Sequence, residues 1–416
     1  MTAATRVKGW CPSLLAPMVS GDGLLVRVKP SAATLTLAQA QSLAQAALRD
    51  GNGMIELTNR ANLQIRGLSP ETVDAFAAAM QAEGLAANDG PFEQIRNILA
   101  SPLGPEDLSA TFDSHALAGE LEAALAQSPE LHRLPPKFGV LIDGGGALSL
   151  AGHEADIMLR AHSGGLGLWI GGSDLAAHVQ PGSAVEAALA LALAFLTLGS
   201  SRTPPPRRMR DLVSQMGSAA IFAKAGLAAS PRTPPVAPAA RPMSGPGWLS
   251  LGLPFGQIEA PRLLSLIGKA RALGAEALHC TPWRAFVVSG LAEAAIEDLQ
   301  HWARSAGLII SPDDPRLTIA ACPGYPHCAS GRTQSRADAE RLARSGLASG
   351  TSLHVSGCEK GCAQPKAAHF TLVGESEERY SLVRNGRAGD TPVATGLSLD
   401  AAITELRKGR SNAPRL

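Results

Sequence analysis

Four cysteines carry the strongest chemical signal in the chain. Cys322 and Cys328 form a C-x5-C pair, and Cys358 and Cys362 form a C-x3-C pair after 29 intervening residues. Iron–sulfur clusters need several thiolates converging on a small inorganic core, and two close pairs on two loops can supply four. Pro323-Gly324 follows the first cysteine, while Gly357 and Gly361 adjoin the second pair. These residues permit tight turns that aim sulfur atoms and backbone N–H groups inward. Structural zinc, the competing reading, favours pairs spaced C-x2-C to C-x4-C, so an x5 pair is atypical for it. The expectation is a four-iron cluster on Cys322, Cys328, Cys358 and Cys362. Cys280, in a strand-like run, reads as a small buried apolar residue. Cys11 reads as structural.

A second pattern lies in Thr58 to Arg66. Arg60, Asn62, Gln64 and Arg66 alternate with period two, which places them on one face of a strand over Leu57, Ala61, Leu63 and Ile65. Guanidinium forks pair both oxygens of a carboxylate, so such a face suits a carboxylate-rich ligand. A strand with one solvated face shows the same alternation. For a non-haem iron, His327, His354 and His369 are the first residues to consider, although no His and carboxylate spacing singles them out. No G-x-G-x-x-G follows a strand-like run, and Gly144-Gly145-Gly146 lacks a following helical pattern. A Rossmann site for NADH is therefore not expected.

The elements that must position these residues are duplicated. Gly51 onward matches Gly274 onward at an offset of 223 residues, without a gap for about 35 positions. Thr58 meets Thr281, Gly67-Leu68 meets Gly290-Leu291, and Gly84-Leu85 meets Gly307-Leu308. Within each copy the pattern runs strand, helix, strand, helix: Leu24 to Val28, Leu37 to Leu48, Met54 to Ile65 and Val73 to Ala82. The equivalents of the polar face in the second copy, Trp283, Ala285, Val287 and Ser289, are not basic. Beyond each copy lies a more divergent segment with strand-like runs at Phe138 to Asp143, Ala147 to Leu150, His369 to Val373 and Tyr380 to Val383. Asp211 to Ala228 could form a helix, and the proline-rich stretch after it reads as a linker. The fold class is α+β with pseudo-twofold symmetry.

The 416 residues suggest two or three globular units, and a net charge of +1 gives no reason to expect nucleic-acid binding. The most apolar stretch, Ala187 to Leu198, is too short for a bilayer at ~20 residues per span and reads as a core helix. Six cysteines, four of them clustered, do not resemble a secreted disulfide framework, so a cytoplasmic protein is expected.

Taken together, these features resemble the sulfite and nitrite reductases that use siroheme and a [4Fe-4S] cluster. The cysteine spacing is similar to that family's cluster signature. Thr58-Asn59-Arg60-Ala61-Asn62-Leu63-Gln64 is similar to its T-x-R-Q-x-x-Q segment, Arg96-Asn97 to its Arg-Asn pair, and Leu134-Pro135-Pro136-Lys137-Phe138 to its L-P-x-K-F segment. The resemblance implies two ferredoxin-like half-domains (1–92 and 248–311) and two larger α+β domains (93–225 and 312–416), with a linker at 226–247. It implies tetrapyrrole-binding roles for Arg60, Asn62, Gln64, Arg66, Arg96 and Lys137, with Arg96 and Lys137 also candidates for catalysis. Arg27, Lys29, Lys360 and Lys366 are secondary candidates. One departure stands out: the reductases have K-F-K, and here the third residue is Gly139. In finer detail Gly9-Trp10-Cys11-Pro12-Ser13, Gly21 to Arg27 and Cys322 to Ser330 are similar to one branch of the family, the precorrin-3B synthases. That branch implies O2-dependent oxidation of precorrin-3A, a [4Fe-4S] cluster, a mononuclear non-haem iron, and electrons from NADH or a reductase partner. Siroheme belongs to the alternative, a sulfite or nitrite reductase.

Overall fold

The computed structural model describes residues 12–236, 243–347 and 351–411. Cys11 lies outside the described residues, as does the middle of the proline-rich linker. The first repeat runs through Gly23–Val28, Ser31–Ala33, Thr34–Thr36, Leu37–Asp50, Met54–Leu57, Leu63–Leu68 and Val73–Ala82. The second runs through Trp248–Gly252, Pro254–Gly256, Gln257–Glu259, Ala260–Ala272, Ala277–Cys280, Ala285–Ser289 and Glu293–Ser305. Adding 223 carries Thr34–Thr36 onto Gln257–Glu259 and Met54–Leu57 onto Ala277–Cys280. Left-handed backbone recurs at the same offset, at Ala32 (φ 49°) with Phe255 (54°) and at Ala61 (55°) with Arg284 (63°). Non-glycine residues adopt that conformation at a cost of about 1–2 kcal/mol, so its recurrence marks inherited geometry.

The repeats exchange strands. Thr34–Thr36 pairs antiparallel with Ala277–Cys280 of the second repeat, and Gln257–Glu259 pairs with Met54–Leu57 of the first. Each exchanged strand leads into a helix. Thr36 caps Leu37–Asp50 through a reciprocal box with Gln39, whose N–H donates to Thr36 Oγ1 at 3.1 Å. The two five-stranded sheets thereby share one core, with Leu35, Leu43, Ile55 and Ile65 packed among Leu251, Leu266 and Val288.

The larger domains repeat one another as well. In each, two parallel pairings are followed by two antiparallel ones. The first uses Ile98–Ala100, Val140–Asp143, Ile157–His162, Gly165–Ile170 and Leu175–Val179. The second uses Ile319–Ala321, Leu353–Ser356, Ala368–Gly374, Tyr380–Gly386 and Ala394–Leu397. Ala32 enters the core of the first large domain and Phe255 that of the second.

Several elements differ from the sequence expectation. Ala147 to Leu150 is a turn, and the segment from Asp211 splits at Gly217 into Met209–Met216 and Ser218–Lys224. Gly217 has φ 80°, which breaks the helix. The start of the linker is a sixth sheet strand, Ala229–Pro231, paired with Leu175–Val179. The apolar helix is longer than its apolar run suggests. Pro181–Gly199 is long and apolar enough to cross a membrane by length and composition, yet Ala184, Ala188, Leu191 and Phe195 are buried in the first large domain's core.

Candidate functional site

The cysteines project from one end of the second large domain's sheet. Ile319–Ala321 and Leu353–Ser356 are parallel neighbours; the first runs directly into Cys322 and the second stops two residues before Cys358. Cys322 and Cys358 are buried, Cys328 is half-buried and Cys362 is exposed. The Gly357 N–H donates to Cys322 Sγ at 3.1 Å, the kind of sulfur-directed N–H that tunes a cluster. Burial pushes the Cys358 and Cys362 thiols up, and the negative charge of the neighbouring cysteines adds to it. For Cys362 those neighbours are all three of the others, so the four sulfurs share one electrostatic environment. Tetrahedral zinc would hold sulfurs roughly 3.8 Å apart, from Zn–S bonds of ~2.3 Å. Among the described residues no group of three or more His, Cys, Asp or Glu side chains is placed to hold a metal ion. Four cysteines on two loops that leave neighbouring strands are the donor set a multi-iron core requires. The same absence leaves no His and carboxylate set for a mononuclear iron among the described residues.

The first repeat docks onto the cysteine loop. The two carboxylate oxygens of Asp22 accept from Nε and Nη2 of Arg66, each at 2.9 Å, and Arg66 also donates to Ser20 Oγ and to the His327 carbonyl. That carbonyl accepts from Gly21 N–H and Ser20 Oγ too. Gly21 has to be glycine, because a Cβ there would lie 2.5 Å from the Pro326 oxygen and 2.8 Å from the Ala329 nitrogen. Behind Arg66, Glu56 pairs with Arg336 of the second large domain at 2.7 Å. Burial opposes the ionisation of Glu56, but Arg336 and Arg66 outweigh it and hold the carboxyl below the usual range. The second repeat reaches the other cysteine loop, where Arg284 donates to the Ala363 carbonyl at 3.0 Å.

The predicted ligand-lining residues divide accordingly. The strand begins at Leu63, and Arg60 and Asn62 sit in the turn before it, shaped by the left-handed Ala61. Gln64 and Arg66 do share a face opposite the buried Leu63 and Ile65, but that face is an interdomain contact. Gln64 donates to Glu56 and accepts from Arg27, so Gln64, Arg66 and Arg27 are engaged within the protein. Arg96 is buried and donates to Glu93, Glu122 and the carbonyls of Lys29 and Leu85. It is a structural clamp, and Lys29 likewise donates to the Glu93 and Gln94 carbonyls. Asn97 pins the loop around Lys137, donating to the carbonyls of Pro136 and Phe138 at 3.1 and 3.0 Å. Lys137 itself is half-buried and makes no ion pair or hydrogen bond among the described residues. Lys360 reaches Ser330, and Lys366 is exposed.

The histidines separate as well. His369 is satisfied by Ser352 at the surface, and His327 contacts Asp22. His354 is fully buried with neither ring nitrogen partnered; burial first, then Arg284, lowers it to about 4, so it is neutral. Its isolation, together with Asp22, Glu56, Arg284 and Arg336, went unseen in the sequence. Asp22 and its partner Arg66 lie 44 positions apart, so no local signal links them.

Comparison with known proteins places this geometry in a class. Residues 16–83 match the model of the nitrite/sulfite reductase ferredoxin-like half domain. The solved structure of the Mycobacterium tuberculosis NirA protein superimposes with a TM-score of 0.75 over 94% of this chain and 82% of that one, at 21% identity. The fold is therefore that of the nitrite and sulfite reductases. A precorrin-3B synthase from Sinorhizobium sp. is 38% identical over 94% of this chain and 86% of its own. A ferredoxin–nitrite reductase from Synechococcus elongatus is 24% identical over 88% of this chain and 78% of its own. The chain belongs to the precorrin-3B synthase family, within this wider group.

Proposed function

We propose that the protein oxidises precorrin-3A with O2 and an external reductant, hydroxylating the C20 meso carbon and closing a γ-lactone from a ring A acetate. The observation that carries this reading is Gly139 together with Lys137. A Cβ on Gly139 would lie 3.1 Å from the Asn97 oxygen, so a side chain there would require that backbone to give by a few tenths of an ångström. The paired lysines that the reductases use to bind and protonate small anions are thus reduced to one. The 38% relative named as a precorrin-3B synthase points the same way.

The [4Fe-4S] cluster would be held by Cys322, Cys328, Cys358 and Cys362, and when bound it supplies one-electron transfer. The chain's own groups bind and orient the substrate. Lys137 leads carboxylate recognition, with its ammonium unpaired and its loop braced by Asn97. Arg60 and Asn62, carried on the turn before Leu63, complete the set, while Gln64 and Arg66 serve the contact with the cysteine domain and Arg96 the clamp on Glu93 and Glu122. The electron donor is a reductase partner or NADH acting directly, and the site lies in the cytoplasm.

The test is anaerobic purification, with iron and acid-labile sulfide analysis, an absorption spectrum and O2 uptake on precorrin-3A. The reading expects cluster iron, no siroheme bands and precorrin-dependent O2 consumption. Bound siroheme with sulfite or nitrite reduction would establish the alternative. Cluster-replete protein that consumes no O2 with precorrin-3A would refute the oxygenase.

A further inference from the structure

The four cysteines are not held alike. Cys322 and Cys358 are buried and follow from adjacent parallel strands, whereas Cys328 is half-buried, Cys362 is exposed, and neither adjoins a strand. Each outer cysteine is met instead by an arginine from a ferredoxin-like repeat. Arg66 of the first repeat donates to the carbonyl of His327, the residue before Cys328. Arg284 of the second donates to the carbonyl of Ala363, the residue after Cys362. The internal duplication did not create this pair: at the 223-residue offset Arg66 corresponds to Ser289 and Arg284 to Ala61. Two different positions of the repeat have supplied the same contact.

Both arginines are anchored behind the contact. Arg66 has 5% of its side chain exposed and is ion-paired with Asp22 at 2.9 Å and Glu56 at 3.6 Å. Arg284 stands on a left-handed turn whose backbone is fixed by Arg284 N–H to Thr281 oxygen and Ala285 N–H to Thr281 Oγ1. A guanidinium on a backbone carbonyl is a charge-assisted hydrogen bond, stronger than a neutral one. Here it also brings a fixed positive charge near a cysteine that would carry negative charge in a cluster.

Resting on the cluster reading above, we propose that Arg66 and Arg284 are positioning residues that hold Cys328 and Cys362 in ligating geometry from a separate domain. Cluster retention then depends on both repeats staying docked, and the guanidinium of Arg284, which makes no ion pair among the described residues, raises the cluster's reduction potential.

The experiment uses the full chain, purified anaerobically, as wild type and as Arg66→Lys, Arg284→Gln and Arg284→Lys. Three quantities are read: iron and sulfide per chain, the rate at which a chelator bleaches the visible cluster absorption, and the midpoint potential from a titration followed by electron paramagnetic resonance. Arg96→Lys serves as the control, a buried clamp far from the cysteines in sequence. The expected result is roughly tenfold faster bleaching in Arg66→Lys and Arg284→Gln, the loss of about one charge-assisted hydrogen bond. Arg284→Gln also lowers the potential, because a charge favouring the reduced cluster is gone, and Arg284→Lys restores it. Arg96→Lys lowers the melting temperature with bleaching and potential unchanged. Wild-type bleaching and potential in both Arg66→Lys and Arg284→Gln would overturn the proposal. So would equally fast bleaching in Arg96→Lys, which would show general destabilisation. A wild-type chain without iron and sulfide would instead sink the cluster reading, and this proposal with it.

Discussion

Replacing Arg96 separates two accounts of the same residue. The family resemblance makes it an anion-binding group, whereas the structure makes it a clamp. Its guanidinium donates at 3.1 Å to Glu93, whose side chain is 0% exposed, and at 2.9 Å to Glu122; two further donations go to the Lys29 and Leu85 carbonyls. Arg96→Met keeps the apolar stem and removes every one of these. Glu93 is then a buried carboxylate without its cation, and breaking a buried pair in this way costs about 3–5 kcal/mol. At ~2–4 °C per kcal/mol for a domain of this size, the melting temperature falls by roughly 6–20 °C. Calorimetry of the anaerobically purified variant measures that shift, and steady-state kinetics on precorrin-3A at a temperature where both proteins are folded measures KM. The expected outcome is a large thermal shift with KM within about twofold of wild type. A melting temperature within ~3 °C of wild type, with KM raised tenfold or more, would refute the clamp and restore the anion site.

Three further outcomes follow from the same contacts. Lys137→Met leaves melting temperature and iron content unchanged and raises KM for precorrin-3A roughly tenfold, the loss of one charged contact; an unaltered KM would remove Lys137 from the site. Gly139→Lys, which recreates the reductase pattern, forces a Cβ to within 3.1 Å of the Asn97 oxygen. It should destabilise by about 1–3 kcal/mol as overpacking does, and confer no sulfite reduction with an artificial donor. His279 is buried and its ring lowered to about 3, by burial first and then by His115. Its folded value lies below its unfolded value, so its contribution is complete above about pH 6.5 and is lost at up to ~1.4 kcal/mol per unit as pH falls toward 3. Urea unfolding at several pH values should show that slope reduced in His279→Gln, and an identical slope would refute the assignment.

Much of the architecture is legible in the sequence because it rests on local signals. Gly67-Leu68 with Gly290-Leu291 and Gly84-Leu85 with Gly307-Leu308 mark the duplication, and helical spacing marks Leu37–Asp50 and Val73–Ala82. The exchanged strands are not legible, since Thr34–Thr36 is three residues long and its partner lies more than 240 positions away. Of the site, the four cysteines are visible because their spacing is local. The commitment of Arg66 and Arg96 is not, because Asp22, Glu56 and Glu122 become their partners only through tertiary packing; Glu93, three residues before Arg96, is the one local partner.

The contrast between the two repeats shows why alternation alone misassigns such residues. Arg27, Glu56, Gln64 and Arg66 correspond at the 223-residue offset to Ser250, His279, Val287 and Ser289. Both sets lie on the outer face of a sheet whose inner face is the shared core, and both faces are covered by protein. The first meets the cysteine domain through charges, Arg66 on the His327 carbonyl and Glu56 on Arg336. The second meets the first large domain through Val287 packed with Leu103 and Leu148, and through Ser289 Oγ donating to Glu106 while His279 Nε2 contacts Ser289 at 2.8 Å. Symmetry therefore supplied two equivalent docking faces, and their different chemistry follows the domain each one covers. The basic face beside the cysteines is thus engaged in bracing the loop that carries Cys328, and its alternation in the sequence marks a contact between domains.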